Sequence, residues 1–315
     1  GPTIDANTRF KYSNHGYALA GLAIEAIVGE PYAAWITHNI VEPAGLKRTL
    51  PDAPLAPGTP FARGHSGELP LNHRVTFAGD ATTNAMMPAT GFVSTAADLA
   101  LFFGQLAPTA RRSVLSVASR REMFRPQWRE PHSSFERYYG LGIVSGKLGD
   151  WEWFGHAGGF QGYITRTVTV PAQGLAVSVL TNASDGLAHP WLDGTLHILR
   201  TFSKGGAPVR RLADWNGRWW SVWGASDLVA VGNKVLVAVP GFWNPFMDAS
   251  EIEVLGRDRG RIALAGGYAN HGEAVRLLRN KNRKLVGVQL AGAKLVGESR
   301  MVKELNERYG RRRRK

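Results

Sequence analysis

Residues 151–181 read WEWFGHAGGFQGYITRTVTVPAQGLAVSVLT. Apolar side chains alternate along much of this run, as in a β-strand, and Pro171-Ala172-Gln173-Gly174 supplies a turn. A helical spacing of apolar residues resumes at 187–202. The sequence therefore predicts an α+β domain in which helices flank an antiparallel sheet. The predicted strands lie near 140–147, 151–155, 162–170 and 175–181, and the last two form an antiparallel hairpin.

Three further helices are predicted upstream of this sheet. Residues 14–29 carry apolar side chains at three- and four-residue spacing, and Gly29 suits the C-terminal cap. A second helix is predicted at 31–41, before Pro43 breaks the pattern. The third is predicted at 96–106, where the helical period returns.

A second domain is predicted downstream. Residues 203–208 read SKGGAP, a change in composition that predicts a linker at 204–208 after a first domain at 1–203. Short apolar runs then recur between Gly, Asn and Asp turns at 209–306, which is typical of a small antiparallel β-barrel or sandwich. A basic tail is assigned to 307–315. Five tryptophans of this domain either fill its core, the favoured interpretation, or line a ligand pocket: Trp215, Trp219, Trp220, Trp223 and Trp243.

The composition narrows the possible chemistry. The 315 residues include no cysteine, which excludes disulfides, a thiol nucleophile and zinc sites built on cysteine. No cofactor or metal is expected. No apolar run approaches the roughly 18 residues of a membrane-spanning helix, so we expect no membrane span. A periplasmic or secreted location and a cytoplasmic one are both compatible with the sequence.

The formal net charge is +13, and five of the cations form the terminal run Arg311–Lys315. Removing that run leaves +8, and the remaining cations are read as spread along the chain. Such a run is usually solvated, and no aromatic residues interleave with it. Nucleic acid is therefore not an expected partner.

The first candidate for chemistry is Tyr12-Ser13-Asn14, at the start of the helix predicted at 14–29. A helix behind these residues can present a phenol and a carboxamide side by side. If a neighbouring cation lowers its pKa, the phenol of Tyr12 can take a proton from a serine and return it to a leaving group. The alternative is a purely structural tyrosine.

The second candidate is the segment Gly155–Phe160 in the predicted sheet. Gly158 and Gly159 remove side chains from a strand edge, so a ligand can approach the backbone and an N–H group can face a developing oxyanion. His156 can hydrogen-bond a substrate, as a neutral imidazole rather than a fixed cation. The alternative is a glycine-rich bend with a surface histidine.

Together the two segments resemble motifs of the penicillin-recognising serine hydrolases. That group contains class C β-lactamases, family VIII carboxylesterases, D-aminopeptidases and D-alanyl-D-alanine carboxypeptidases. Tyr12-Ser13-Asn14 is similar to its Y-x-N motif, and Gly155–Tyr163 is similar to its third motif. The resemblance covers about 8–202 and implies a β-lactamase-like fold, incomplete at its N-terminal side and followed here by the β-domain.

The resemblance also implies roles for individual residues. A serine in an S-x-x-K helix attacks an ester or amide carbonyl, and water then releases the acyl group. Tyr12 would be the general base and acid that works with this lysine, and Asn14 would position the lysine and the substrate. The N–H of Gly159 would be one oxyanion donor. The remaining residues of the third motif would contact substrate: His156, Ala157, Gly158 and Phe160.

The sequence departs from this family pattern in two places. No serine in the chain has a lysine three positions later, so the nucleophile is expected outside this chain. His156-Ala157 also replaces the Lys-Thr pair that would hold a substrate carboxylate. This replacement favours an ester or a D-amino-acid amide or peptide over a β-lactam.

Two functions remain open from the sequence. In the first, the complete protein is a serine hydrolase that acts on a small-molecule ester, amide or peptide. This chain would then be inactive alone. A separate chain is one possible source of the missing N-terminal segment. The alternative is a non-catalytic relative that binds a peptide, a peptidoglycan fragment or a protein partner. Nucleic-acid binding through Arg311–Lys315 has the weakest basis.

Overall fold

The computed structural model describes residues 4–5, 7–68, 72–77, 81–129, 137–266 and 270–310. The chain forms two compact units, Gly1–Leu192 and Asp193–Lys315. The first unit contains a six-stranded antiparallel sheet with helices against it, and the second contains a closed barrel of eight antiparallel strands. The predicted fold class is confirmed, and the β-domain is a barrel rather than a sandwich.

The sheet of the first unit is a simple meander in which each strand pairs with the next in the chain. The turn after β5 is one 3₁₀ turn, Pro171–Gln173, closed by Gly174 at a φ of 61°. The strands are β1 (Trp128–Arg129), β2 (Arg137–Tyr139), β3 (Val144–Leu148), β4 (Trp151–Phe160), β5 (Tyr163–Val170) and β6 (Leu175–Thr181).

Strand β4 is longer than the sequence predicts, because it continues from Gly155 to Phe160. The extension pairs with β5 throughout, from Gly155 opposite Val168 to Phe160 opposite Tyr163. A Cβ at Gly155 would lie 2.0 Å from the carbonyl oxygen of Thr167. Glycine therefore allows the two strands to approach at this point rather than ending the strand.

The predicted helices of the first unit are present. The N-cap of α1 is Ser13, whose Oγ accepts from the Gly16 N–H at 3.1 Å, and Gly29 ends the helix at a φ of 74°. Pro43 does not break the second helical stretch, because it lies in the first turn of α3, where proline is tolerated. The helices are α1 (Asn14–Val28), α2 (Tyr32–Ile36), α3 (Glu42–Ala44), α4 (Met87–Thr90), α5 (Ala96–Leu106) and α6 (Val117–Phe124), with a π-helical segment Thr37–Val41 and a 3₁₀ turn Asn84–Met86.

Helix α6 was not predicted, and a buried arginine explains its position. Arg120 is only 3 % exposed. Its Nη1 donates to the carbonyl oxygens of Gln105 at 3.2 Å, Ala107 and Ala110 at 3.1 Å. Because the carbonyls at a helix C-terminus lack partners within the helix, this arginine caps α5 from α6.

Among the described residues no single helix is long and apolar enough to cross a membrane. One pair, Asn14–Val28 with Tyr32–Ala44, reaches the required length and composition only together, and it is bent by 86°.

The barrel of the second unit is an up-and-down meander closed by its first and last strands. Val296 of the last strand pairs with Trp220 of the first. The strands are β7 (Gly217–Ser221), β8 (Gly224–Val231), β9 (Lys234–Ala238), β10 (Ser250–Gly256), β11 (Arg259–Leu264), β12 (Ala274–Arg279), β13 (Leu285–Leu290) and β14 (Ala293–Val296).

Two tryptophans fill the barrel core. Trp215, on a 3₁₀ segment before β7, is fully buried and donates its Nε1–H to the carbonyl of Arg257 at 3.1 Å, and Trp219 is 8 % exposed. Trp220 is half-buried. The core interpretation was wrong for Trp223, which is 94 % exposed, and for Trp243, which is 49 % exposed.

Two helices of this part of the chain lie across the predicted limits. Helix α7 (Ala188–Gly205) continues into the predicted linker at 204–208, and the division between the two units falls within it. Helix α8 (Glu298–Tyr309) occupies the end of the predicted β-domain and the start of the predicted tail. Residues 311–315 of that tail lie outside the described residues. The domain limits themselves stay a prediction.

Candidate active site

Tyr12 and Asn14 lie at the N-terminal end of α1. Asn14 is the first residue of the helix, and Tyr12 is 48 % exposed just before its cap. An open groove of about 360 Å³ runs along this end of the helix. Its lining residues are Phe10, Lys11, Tyr12, Ser13, Gly16, Tyr17, Ala20 and Tyr139.

Beyond Gly155, strand β4 pairs only with β5 among the described strands. Strand β3 reaches it as far as Val144 opposite Gly155, whereas β5 continues to Phe160. Within the described part of the chain no strand pairs with the other edge of residues 156–160. The backbone of this segment therefore presents an open edge.

The register shows which N–H groups face that open edge. Phe160 pairs with Tyr163 across a two-residue turn, so the N–H of Phe160 points towards β5. Because N–H directions alternate along a strand, the N–H of Gly159 points towards the open edge. Gly159 has no side chain to obstruct this edge, and its nearest potential Cβ contact is Ile164 Cδ1 at 3.5 Å.

Two hydrogen bonds fix the tautomer of His156, and burial favours its neutral form. Its Nδ1 lies 2.6 Å from the carbonyl oxygen of Ala157, which can only accept, so Nδ1 carries the proton. Nε2 then accepts the phenolic hydrogen of Tyr139 at 3.1 Å. Burial lowers the pKa of His156 below its ordinary value of 6.5, although the bond to Ala157 acts in the opposite direction. Near neutral pH this site offers no fixed imidazolium to a substrate carboxylate.

The two motifs meet through aromatic contacts. The ring centroid of Tyr12 lies 6.2 Å from that of His156, and 5.9 Å from that of Tyr139 in an edge-to-face arrangement. Burial and the nearby Tyr17 raise the pKa of the Tyr12 phenol above 10.0. In this environment Tyr12 is a neutral phenol, and a phenolate base would need an additional cation close by.

The structure thus brings Tyr12 and His156 together, and places Ala157, Gly158, Gly159 and Phe160 along the same open edge. Asn14 begins the adjacent helix and is half-buried, but its carboxamide forms no hydrogen bond with any described residue. No group of three or more His, Asp or Glu side chains within the described residues is arranged to hold a metal ion.

Tyr139 is the site residue that sequence reasoning missed. Burial, chiefly, together with Tyr17 and Tyr12, raises its pKa. The only signal was a pair of tyrosines just before a predicted strand, and aromatic residues are common in strands for packing alone. Its contact with His156 depends on the pairing of β2 with β3 and of β3 with β4, which one sequence does not reveal.

Comparison with known proteins adds an independent line of evidence. A family model described as Beta-lactamase matches residues 1–196. The fold is similar to that of a D-stereospecific amidohydrolase from Streptomyces sp., at 25 % identity and a TM-score of 0.51 over 58 % of this chain and 53 % of that one.

The fold is also similar to that of an octameric penicillin-binding protein homologue from Pyrococcus abyssi. The TM-score there is 0.56 at 20 % identity, over 94 % of this chain and 66 % of that one. The matched part of the chain therefore spans about half to two thirds of the length of these proteins.

Proposed function

Since the chain belongs to the β-lactamase family, we propose that it supplies the proton-transfer and oxyanion groups of a serine hydrolase site. The reaction is acyl transfer to water from an ester or from a D-amino-acid amide or peptide. The nucleophilic serine and its lysine lie outside these 315 residues, because no serine in the chain has a lysine three positions later.

One observation carries this proposal: a phenol stands beside a strand edge that offers an N–H group and that no described strand pairs with. The Tyr12 ring lies 6.2 Å from that of His156, and the N–H of Gly159 faces outward on the same strand. General acid–base catalysis and oxyanion stabilisation need these two elements on either side of a carbonyl.

In the proposed reaction Tyr12 carries a proton from the serine to the leaving group. The serine Oγ bonds to the carbonyl carbon while its proton passes to the phenolate of Tyr12, and the carbonyl oxygen becomes an oxyanion facing the Gly159 N–H. Tyr12 returns the proton to the leaving alcohol or amine as the acyl bond breaks. Water repeats the sequence on the acyl-enzyme and releases the acid.

The pKa of Tyr12 defines a second requirement on the proposed nucleophile segment. Burial and Tyr17 raise that pKa, which opposes formation of a phenolate. A lysine close to the phenol oxygen would lower it by stabilising the charged form. The chain therefore depends on the nucleophile segment for a cation as well as for the serine.

The neutral His156 supports esters and amides as substrates over β-lactams. Both of its ring nitrogens are engaged, by Tyr139 and by Ala157, and burial disfavours its charged form. Among the motif residues of β4 no cation remains to bind a substrate carboxylate. The similarity in fold to a D-stereospecific amidohydrolase supports an amide substrate.

A non-catalytic binding protein is the second candidate. The open groove of about 360 Å³ beside Tyr12 would receive a peptide, a peptidoglycan fragment or a partner's side chain.

The two candidates separate in one experiment. The chain is produced with its native upstream sequence, and hydrolysis of p-nitrophenyl butyrate and of D-alanine p-nitroanilide is measured beside labelling by a fluorophosphonate probe. A hydrolase shows turnover and serine labelling, and Tyr12→Phe lowers kcat at least a hundredfold while the exposed Tyr309→Phe leaves it unchanged. Absence of both turnover and labelling would reject the hydrolase in favour of the binding protein.

A further inference from the structure

The net positive charge of the protein is concentrated in its second unit. Asp193–Lys315 holds 23 of the 38 Lys and Arg residues and 11 of the 25 Asp and Glu residues. It therefore carries +12, whereas Gly1–Leu192 carries +1. Outside the terminal run the cations are indeed spread, 15 in Gly1–Leu192 and 18 in Asp193–Lys315, but the second unit has fewer carboxylates to balance them and still carries +7. The barrel wall shows where part of this excess lies.

On one part of the barrel wall, each cation faces a carboxylate on the neighbouring strand. Cross-strand pairs of opposite charge stabilise a sheet, and like charges directly opposite each other destabilise it. The pairs join β7 to β8, β9 to β10 and β11 to β10: Arg218 with Asp227, Lys234 with Glu251, and Arg261 with Glu253.

On another part of the wall, a row of cationic and amide side chains has, among the described residues, no carboxylate directly opposite on the neighbouring strands. Arg259 of β11 lies opposite Arg276 of β12, Arg276 opposite Gln289 of β13, and Gln289 opposite Lys294 of β14. The three cations are exposed, and within the described residues none of them forms an ion pair. Lys294 also acts electrostatically on Glu304 of α8.

An open groove of about 460 Å³ is lined by two members of this row, Arg276 and Gln289, and its volume is within the size range of small-molecule sites. Gln289 is held in its wall because Nε2 donates to the carbonyl of Ala291 at 2.8 Å. The groove combines a guanidinium, a carboxamide, a carboxylate and apolar side chains. Its lining residues are Glu273, Ala274, Arg276, Leu278, Gln289 and Ala291.

We propose that this groove binds an organic anion, in which a phosphate or carboxylate headgroup is attached to an apolar body. The guanidinium of Arg276 suits an oxyanion because it can donate two parallel hydrogen bonds. A bound anion also relieves the repulsion between Arg276 and Arg259. Ala274, Leu278 and Ala291 offer apolar contact to the rest of the ligand.

The same lining argues against a polyanion. Glu273 contributes a carboxylate to the groove and would repel a ligand that is charged along its whole length. A ligand with one anionic end and one apolar end avoids this repulsion. Nucleic acid therefore fits this groove less well than an amphiphilic small molecule.

The first test is a calorimetric titration of the 315-residue chain at low ionic strength and below micelle formation. The probes are octyl phosphate, octanoate, octanol and inorganic phosphate. We expect octyl phosphate or octanoate to bind at least tenfold more tightly than octanol and than inorganic phosphate. The tighter of the two identifies the headgroup. Equal binding of octanol, or no binding of either amphiphile, would overturn the proposal.

The second test uses matched variants. Arg276→Gln and Arg259→Gln each remove one cation from the row, and we expect affinity for the better amphiphile to fall at least tenfold in Arg276→Gln and by a smaller factor in Arg259→Gln. Arg218→Gln and Arg261→Gln remove the same charge from ion-paired positions and serve as controls. Unchanged thermal midpoints show that the barrel is intact. An equal loss of affinity in the control variants would show that binding depends only on the overall charge of the barrel, and it would contradict a defined site.

Discussion

Tyr139 donates its phenolic hydrogen to Nε2 of His156 at 3.1 Å, and this bond joins strand β2 to strand β4 across β3. The imidazole is largely buried and its other nitrogen is already engaged by Ala157. The phenol therefore supplies the hydrogen bond that a buried acceptor requires.

Tyr139→Phe should destabilise the first unit by about 1–2 kcal/mol, because Nε2 of His156 is left without a donor. The measurement is chemical denaturation at pH 7.5, with the exposed Tyr309→Phe as the control, expected within about 0.5 kcal/mol of the parent. Equal stability of Tyr139→Phe and the parent would show that water replaces the phenol.

The stability of the protein should fall as the pH decreases below 6.5, because His156 and His197 have pKa values lowered by burial. Both are neutral in the folded state, and unfolded histidines take up protons below 6.5, so their contribution is present above this pH and lost as pH falls towards the folded values. Thermal midpoints between pH 7.5 and 5.0 measure the effect. His156→Gln and His197→Gln should each flatten the dependence, and a slope unchanged in both would count against it.

Gly155→Ala should cost about 1–3 kcal/mol, since its Cβ would lie 2.0 Å from a backbone oxygen of β5 that cannot move independently. Gly159→Ala on the same strand is the matched control. Its Cβ would meet Ile164 Cδ1 at an ordinary 3.5 Å, so we expect a change within about 0.5 kcal/mol. Denaturation of the two variants side by side tests whether β4 and β5 approach closely at Gly155. Similar losses of stability in both variants would refute this close approach.

Arg120→Met should destabilise the first unit by about 2–4 kcal/mol, because the carbonyls at the C-terminal end of α5 lose a buried charged donor. Arg121→Met changes the exposed neighbour on the same helix and should alter stability by less than about 0.5 kcal/mol. The comparison is made by urea denaturation. A small effect at both positions would mean that α6 holds its place by packing alone.

Local patterns in the sequence predicted much of the fold. The hairpin of β5 and β6 and helices α1 and α5 follow from period, turn and capping residues within the segments themselves. Helix α6 was not predicted, because its buried residue is a charged arginine and not an apolar side chain. The sequence could not distinguish a barrel from a sandwich, because the closing pair of Val296 with Trp220 joins distant parts of the chain.

The sequence singled out the two motifs of the candidate site, but it did not reveal Tyr139, the residue that links them. Tyr12 and His156 were singled out by spacing and type, and their rings lie 6.2 Å apart. The role of each motif residue in catalysis stays a prediction. Tyr139 could not be found, because its importance arises from a contact across the sheet and not from its neighbours in sequence.

The pairing of Val296 with Trp220 also determines when the barrel can form during synthesis. The six-stranded sheet is complete once Thr181 has emerged from the ribosome, whereas the barrel keeps two open strand edges until β14 appears. Open edges are sites of wrong pairing between nascent chains. The barrel therefore passes through an aggregation-sensitive interval during synthesis, and slow translation of its last strands would prolong that exposure.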